Sequence, residues 1–335
     1  MLTSPPSRYA ADMTAAGDSN PLAVIDSMSG PIAAVHTPFD ASGRFDPAVI
    51  PGYARHLRSN GIDAVYVCGS TGESLALTTA ERRSILETWL DAVSGSMRII
   101  AHVGSNALPE AEALARHAHE VGVDAISAMN PTFGSARDVD AIVDHHARIA
   151  EAGEGRPYLV YDISAFGGVS FPAADVIRSA VSRIPGFAGL KFTSGDAIQL
   201  QLAVELAEIH GLRIFFGADE NLLSGLSAGC VSAIGSTYGY AAEPAHAVFR
   251  AFAEGDMSAA RIAQRRIARL VVPLLRHGVL RTGRALLETV GVPIGPPRSP
   301  ETRLEPETLA AVLEEIAALG IPGLTPGAGT VDRRP

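Results

Sequence analysis

Short apolar runs alternate along the chain with longer stretches in which apolar residues recur at helical spacing. Each apolar run is four to six residues long, which suits a strand buried on both faces of a parallel sheet. The runs that predict strands lie at 32–35, 64–68, 98–103, 125–128, 158–161, 187–192, 213–216 and 231–234. The chain therefore has eight predicted strands.

A helical pattern follows each predicted strand. The second helix has the clearest start, because Thr78 and Glu81 have the spacing of a capping box. The first predicted helix covers residues 47–59. The other seven begin near residues 78, 108, 138, 173, 196, 219 and 243. Eight strand–helix units favour an α/β fold of the closed (β/α)8 TIM-barrel type. The alternative is a doubly wound open sheet, but its usual glycine-rich first turn is missing from Thr37-Pro38-Phe39-Asp40.

The barrel is predicted to cover residues 29–256, with other segments before and after it. Residues 1–28 are rich in Ser, Pro, Ala and Gly, which predicts a poorly ordered leader. Residues 257–319 predict a C-terminal extension of three helices, at 258–275, 281–290 and 306–319. The Gly- and Pro-rich residues 320–335 predict a flexible tail.

Composition excludes several classes of partner. The net charge of −9 argues against binding to nucleic acid or to anionic membranes. No apolar run approaches the ~18 residues of a membrane span, and residues 1–28 lack the pattern of a secretory signal. Cys68 and Cys230 lie in apolar runs, which predicts buried thiols in a reducing cytoplasm. The histidines at 117, 119, 145 and 146 fall on predicted helices and are expected to be solvated, so no metal site is predicted.

Lys191 is the only lysine in the chain, and all the other basic residues among the 27 are arginines. Arginine stays protonated, whereas a desolvated lysine can lose its proton and act as an amine nucleophile. Side-chain alternation puts Gly189, Lys191 and Thr193 on one face of an apolar strand. If that face is the barrel interior, Gly189 leaves room beneath the lysine stem. These features favour a Schiff-base lysine over a lysine left by chance in an arginine-rich composition.

Active sites of barrels lie at the carboxyl ends of the strands. The segments at those ends are 68–73, 130–133, 161–162, 191–193, 217–220 and 235–238. Gly69-Ser70-Thr71-Gly72 could be an anion cradle of backbone N–H groups and hydroxyls, or an ordinary turn. Tyr161 could transfer protons or be a core tyrosine. Asp219 and Glu220 could bind a ligand or only cap a helix.

Three motifs resemble, in order and spacing, the dihydrodipicolinate synthase and N-acetylneuraminate lyase family of class I aldolases. They are Gly-Ser-Thr-Gly-Glu at 69–73, Tyr161, and Gly-Leu-Lys-Phe-Thr-Ser-Gly-Asp at 189–196. The resemblance covers residues from about 29 to 319, and segments 217–220 and 234–238 are similar to the N-acetylneuraminate lyase branch. It implies a homotetramer of barrels with a C-terminal helical extension. It also implies an imine between a lysine and the keto carbon of pyruvate or another 2-keto acid, with no separate cofactor.

The resemblance also implies roles for individual residues. Lys191 would be the Schiff-base lysine and Tyr161 the proton shuttle. Ser70 would take part in the proton relay and, with Thr71, hold the substrate carboxylate. The hydroxylated tail of a sugar acid would lie against Thr193, Gly217, Asp219, Glu220 and Ser236. Adjacent carboxylates suit a polyol, because each can accept several hydrogen bonds from hydroxyls.

Five positions depart from the family pattern. Phe166 stands where synthases of the lysine pathway carry an arginine for a second carboxylate, which argues against dihydrodipicolinate synthase. Asp162 and Ser164 replace the asparagine and the proline of the Tyr-Asn-Ile-Pro-Ala segment that is usual in the lyase branch. Phe133 and Ala218 stand where lyases often have tyrosines, so a relay that uses the first of these hydroxyls is missing or replaced.

The sequence thus predicts a cytoplasmic lyase that acts on a small keto acid. The first choice is reversible cleavage of N-acetylneuraminate to pyruvate and N-acetylmannosamine. An aldolase or dehydratase of 2-keto-3-deoxy-gluconate-type acids is the alternative, because the same imine serves both. Dihydrodipicolinate synthase and a non-catalytic ligand-binding barrel are the remaining alternatives.

Overall fold

The eight predicted strands form a closed parallel barrel. A computed structural model describes residues 21–163 and 169–324. The strands pair in chain order, and β1 closes the sheet against β8, with Gly30 opposite Ser232. The strands are β1 Gly30–Ala34, β2 Ala64–Val67, β3 Arg98–His102, β4 Ala125–Met129, β5 Tyr158–Asp162, β6 Phe187–Phe192, β7 Arg213–Phe216 and β8 Ser232–Gly235. The predicted barrel is confirmed, with strand limits that differ by two residues at most.

Helices cover the outside of the barrel, and three more follow it. In chain order they are α1 Pro21–Asp26, α2 Ile50–Ser59, α3 Thr79–Val93, α4 Leu108–Val121, α5 Val139–Ala152, α6 Ala173–Ala180, α7 Ala197–His210, α8 Leu222–Ala228, α9 Ala242–Ala253, α10 Met257–His277, α11 Val279–Thr289 and α12 Pro306–Ala317. The capping box before α3 is present, because Thr78 and Glu81 each accept a hydrogen bond from the other's backbone N–H. A short 3-10 turn, Asp219–Asn221, precedes α8.

Two apolar layers hold the strands in place. The outer layer lies between the strands and the helices, and Trp89 of α3 packs there edge-on against Tyr53 of α2. The inner layer fills the barrel with side chains such as Ile32, Tyr66 and Phe215. Parallel strands in such a barrel must be apolar on both faces, which explains their continuous apolar runs.

Both ends of the described chain pack more closely than the sequence predicted. Residues 21–28 were placed in a poorly ordered leader, but they form α1 and a segment whose Ile25 and Met28 are buried in the inner layer. At the other end, Ile321 and Leu324 are buried, although they fall in the predicted flexible tail. Burying these apolar side chains away from water stabilises both ends of the described chain. The remaining residues of those two predictions, 1–20 and 325–335, lie outside the described residues.

Strand β6 contains an irregularity at Gly189. The pairing with β5 shifts between Tyr158 and Leu159, and Gly189 has φ +134°, a conformation that favours glycine. A Cβ atom at this position would lie 1.8 Å from the Arg213 carbonyl oxygen. The glycine is therefore required by close backbone approach, and not by space beneath the lysine stem. Ala188, and not Gly189, belongs to the inner apolar layer.

Candidate active site

The Lys191 amine lies inside the barrel at its carboxyl end. Lys191 is opposite Tyr161 in the β5–β6 register, and its side chain is only 4% exposed. Its Nζ is 3.8 Å from the centroid of the Tyr161 ring and 4.4 Å from that of Tyr66. The two residues that the sequence singled out most strongly, Lys191 and Tyr161, are therefore neighbours.

The Tyr161 hydroxyl is joined to the loop that follows β2. Tyr161 Oη and Ser70 Oγ are 2.9 Å apart, which is a hydrogen bond in which either group can donate. Ser70 and Thr71 are both half-buried at the mouth of the barrel. The expected association of a serine hydroxyl with the tyrosine is thus present in the structure.

Close packing holds this loop at both of its glycines. A Cβ atom at Gly69 would lie 2.5 Å from Cε1 of Tyr66, and one at Gly72 would lie 3.2 Å from the Val35 carbonyl oxygen. The Thr37 hydroxyl donates a 2.7 Å hydrogen bond to the Gly72 carbonyl. The loop therefore approaches β1 and β2 as closely as only glycine allows.

The predicted sugar-tail residues gather at the carboxyl ends of β6, β7 and β8. A Cβ atom at Gly217 would lie 1.9 Å from the Thr193 hydroxyl, and one at Gly235 would lie 1.8 Å from Asp219 Oδ1. Asp219 is buried, whereas Ser236 is half-buried and Glu220 is exposed. Asp219 is thus the least accessible of these residues and Glu220 the most accessible.

Asp219 is the most constrained of these residues. Its Oδ2 accepts hydrogen bonds from the backbone N–H and the hydroxyl of Thr237, at 2.9 Å and 2.7 Å. Its Oδ1 is buried and has no hydrogen-bond partner among the described residues. Burial raises the pKa of the carboxyl from 3.8 to about 6, against the opposing effect of the Thr237 donors. The carboxylate thus bonds to Thr237 and does not cap the 3-10 turn that Asp219 begins.

Three buried residues near the amine were not identified from the sequence. Tyr66 of β2 donates a 3.1 Å hydrogen bond to Ser127 and faces Lys191. Arg82 of α3 donates to the carbonyls of Gly104 and His102. Burial, and then the positive charges of Arg82 and Lys191, hold the pKa of His102 well below its usual range. Of these three, only Tyr66 could have been predicted, because side chains alternate along β2 and this alternation places Tyr66 inside the barrel.

Two of the histidines that were expected to be solvated are buried. His146 of α5 is hydrogen-bonded through Nδ1 to Tyr158 and through Nε2 to Asn130, both at 2.7 Å. His117 of α4 pairs with Glu87 at 2.7 Å. The prediction was wrong because an amphipathic helix turns part of its surface toward the strands. His146 supports the loop after β4, since Asn130 belongs to it.

The positions that depart from the family pattern differ in their exposure and location. Phe133 is 86% exposed, so its ring projects from the loop after β4. Asp162 ends β5, and burial raises the pKa of its carboxyl to about 6. Ala218 is half-buried beside Asp219. Ser164 and Phe166 lie outside the described residues.

Other features of the described residues do not form a competing site. A cleft of about 540 Å³ lies at the opposite end of the barrel, lined by residues that include Ser27, Gly30 and Arg98. Arg98 is already paired with Asp124 at 2.8 Å. Within residues 21–163 and 169–324, no group of three His, Cys, Asp or Glu side chains could hold a metal ion. None of the helices described is long and apolar enough to cross a membrane.

Comparison with known proteins identifies the family. Residues 27–319 match the model of the dihydrodipicolinate synthetase family. The N-acetylneuraminate lyase of Rattus norvegicus is 33% identical over 90% of this chain and 96% of its own, and that of Citrobacter koseri is 35% identical over 80% and 89%. The solved Proteus mirabilis N-acetylneuraminate lyase superposes with a TM-score of 0.84 at 31% identity, covering 88% of this chain and 99% of its own. The chain belongs to the dihydrodipicolinate synthetase family.

Proposed function

We propose that this protein is a Schiff-base lyase that reversibly cleaves N-acetylneuraminate to pyruvate and N-acetylmannosamine. The observation that carries the proposal is the buried Lys191 amine beside Tyr161, whose hydroxyl is bonded to Ser70. The names of the relatives, which match over most of this chain, support the choice of substrate.

The reaction begins at the Lys191 amine. Its nitrogen attacks the keto carbon of the substrate, and loss of water leaves a protonated imine. The bond between carbons 3 and 4 then breaks, and its electron pair moves into the imine to give an enamine. Protonation of the enamine at carbon 3 and hydrolysis of the imine release pyruvate and restore the lysine. No cofactor enters this scheme, because the protonated imine is the electron sink.

Tyr161 serves the proton transfer that cleavage requires. The hydroxyl on carbon 4 must lose its proton as the aldehyde forms, and Tyr161 Oη mediates that transfer directly or through the substrate carboxylate. The 2.9 Å bond to Ser70 gives the tyrosine hydroxyl a partner for its own proton. Ser70 and Thr71 bind the carboxylate through their hydroxyls and, as in an anion cradle, through backbone N–H groups.

The other end of the substrate lies against strands β6 to β8. Asp219 Oδ1 and the Thr193 hydroxyl are buried without hydrogen-bond partners among the described residues. Because buried polar atoms are normally paired, this supports a substrate hydroxyl as the partner of each. Gly217 packs against the Thr193 hydroxyl. The half-buried Ser236 and the exposed Glu220 supply the further groups for the outer hydroxyls. A polyol tail satisfies these groups better than an apolar one.

Reductive trapping tests the proposal, and the single lysine makes the result unambiguous. Incubation with pyruvate and sodium borohydride should add one pyruvyl group to the peptide that contains Lys191, as measured by mass spectrometry. Lys191→Arg is the matched control, because it keeps the charge but cannot form the imine. Absence of the adduct in the folded wild type, or its presence in the arginine variant, would exclude the scheme.

A 2-keto-3-deoxy-gluconate-type acid is the second candidate substrate. Ala218 has no side-chain hydroxyl at a position beside Asp219, which reduces the groups available for a long sugar tail. Pyruvate release should be compared for N-acetylneuraminate and shorter keto sugar acids. The first proposal requires kcat/KM to be highest for N-acetylneuraminate.

We also propose a cytoplasmic homotetramer, as the resemblance implies. Phe133, at 86% exposure, and Ile198, at 72%, are large apolar side chains on the surface of the single chain, and burial against a second copy would remove them from water. Both cysteines are free and buried, which suits a reducing compartment. Light scattering coupled to gel filtration should give four times the mass of 34.9 kDa.

A further inference from the structure

Two tyrosine rings face the same lysine nitrogen. Lys191 Nζ lies 3.8 Å from the Tyr161 ring centroid and 4.4 Å from the Tyr66 ring centroid. The two rings are 5.9 Å apart and nearly perpendicular, at 78°. Both distances fall within the range in which a cation is attracted to the face of an aromatic ring. Tyr161 has a part in the proposed chemistry, whereas Tyr66 has none so far.

Tyr66 offers the amine a neutral ring and not a charged oxygen. Its side chain is fully buried, and burial raises the pKa of the phenol well above its ordinary value. Its hydroxyl points away to Ser127, to which it is hydrogen-bonded at 3.1 Å. Among the described residues, no carboxylate lies within ion-pair distance of Lys191 Nζ, and the described ion pairs all involve arginine or histidine. The two ring faces are therefore the electron-rich groups known to lie against the nitrogen, at 4.4 Å and 3.8 Å.

This arrangement suits a nitrogen whose charge must change during the reaction. The amine has to be neutral to attack a carbonyl carbon, but the imine has to be protonated to accept the electron pair of the breaking bond. A carboxylate beside the nitrogen would hold the ammonium strongly and slow the attack. An aromatic face favours the cation more weakly, so it can support the iminium without blocking the free amine.

Tyr66 also connects the lysine to the loop that receives the substrate carboxylate. A Cβ atom at Gly69 would lie 2.5 Å from Cε1 of the ring, so the glycine backbone packs directly on it. The same ring contacts Tyr161 edge-on and Lys191 through its face. One side chain thus touches three parts of the site.

We propose that Tyr66 is a positioning residue that stabilises the protonated imine on Lys191 through its ring face. The inference rests on the proposed imine chemistry. The aromatic ring is what matters, and the hydroxyl serves only to orient it. Loss of the ring should slow carbon–carbon cleavage, while substrate binding through Ser70 and Asp219 persists.

Three variants separate the ring from the hydroxyl and from general packing. Tyr66→Phe keeps the ring, and kcat for N-acetylneuraminate should stay within about threefold of wild type. Tyr66→Leu removes the ring, and kcat should fall by about 10- to 30-fold with a smaller change in KM. Tyr53→Leu is the control for loss of a buried tyrosine, because Tyr53 lies in the outer layer against Trp89. It should lower the melting temperature but leave kcat near the wild-type value.

The outcomes keep this inference apart from the proposed function. Wild-type protein that fails to form the borohydride-trapped pyruvyl adduct contradicts the imine chemistry itself. If the wild type forms the adduct and folded Tyr66→Leu turns over at the wild-type rate, the role of Tyr66 is refuted. A Tyr66→Phe variant as slow as Tyr66→Leu also refutes it, since the hydroxyl would then be the active part. Should Tyr66→Leu fail to fold, Tyr66→Met, with a longer side chain in the same space, takes its place under the same criteria.

Discussion

Arg284 of α11 forms an almost completely buried ion pair with Glu73, the residue after the Gly69–Gly72 loop. The guanidinium donates to Glu73 Oε1 at 2.5 Å and 2.9 Å, and the two side chains are 2% and 5% exposed. Arg284 also donates to the Thr37 carbonyl at 2.6 Å, and the Arg298 backbone N–H donates to Glu73 Oε2. The C-terminal extension is thereby fastened to the loop that is proposed to bind the substrate carboxylate.

Breaking this pair should strongly destabilise the fold. Arg284→Met or Glu73→Gln leaves one buried partner without its counterpart, and we expect the free energy of unfolding to fall by about 3–5 kcal/mol. Urea denaturation measures the change. Arg276→Met is the matched control, because Arg276 pairs with Glu315 at the surface, with side chains 54% and 39% exposed. It should cost no more than about 1 kcal/mol, and equal losses for the two pairs would contradict the interpretation.

Gly189 should not tolerate a side chain. Gly189→Ala combines a left-handed φ of +134° with a Cβ atom 1.8 Å from the Arg213 carbonyl oxygen. We expect the free energy of unfolding to fall by about 3 kcal/mol or more. We also expect kcat to fall in the fraction of the variant that folds, because Lys191 follows two residues later on the same strand. Gly195→Ala is the control, since a Cβ atom there meets nothing within 4 Å. Equal stability and turnover in both variants would disprove the requirement.

Asp219 should make stability depend on pH. Burial raises its pKa from 3.8 to about 6, so the folded protein binds this proton more tightly than the unfolded chain does. The carboxyl therefore has no destabilising effect below about pH 4; its cost grows between pH 4 and pH 6 and is constant above that. At about 1.4 kcal/mol per pKa unit, the cost is on the order of 3 kcal/mol at pH 7.

Asp219→Asn removes the ionisation that causes this cost. The free energy of unfolding of this variant minus that of wild type, measured in urea at several pH values, should increase as the pH rises from 4 to about 6 and then stay constant. Turnover of a sugar acid should fall in the same variant, because an amide cannot accept hydrogen bonds at both of its terminal atoms. A stability difference that stays constant over this pH range would refute the assigned cause.

The barrel could be predicted because its signal is local. The spacing of apolar side chains within each segment indicates whether it forms a strand or a helix. Eight such units in order leave few topologies, and a closed barrel is one of them. Lys191 could be identified because its chemistry is irreplaceable by arginine, and the loops could be listed because barrel sites lie at strand ends.

The details of the site could not be predicted in the same way. Glu73 and Arg284 are 211 residues apart, and neither sequence pattern nor spacing indicates that they meet. The irregular pairing at Gly189 puts Ala188 in the inner layer, which simple alternation would not predict. The burial of His117 and His146 depends on which side of each helix faces a neighbour.

The amino-acid sequence by itself determined the strand–helix units and the residue that can form an imine, because periodicity and side-chain chemistry are properties of the chain. Only the tertiary structure decided that Tyr66 faces Lys191, that Ser70 meets Tyr161 and that Arg284 holds Glu73. Those contacts depend on strand register, burial and packing between residues far apart in the chain. Such quantities arise only when the barrel closes.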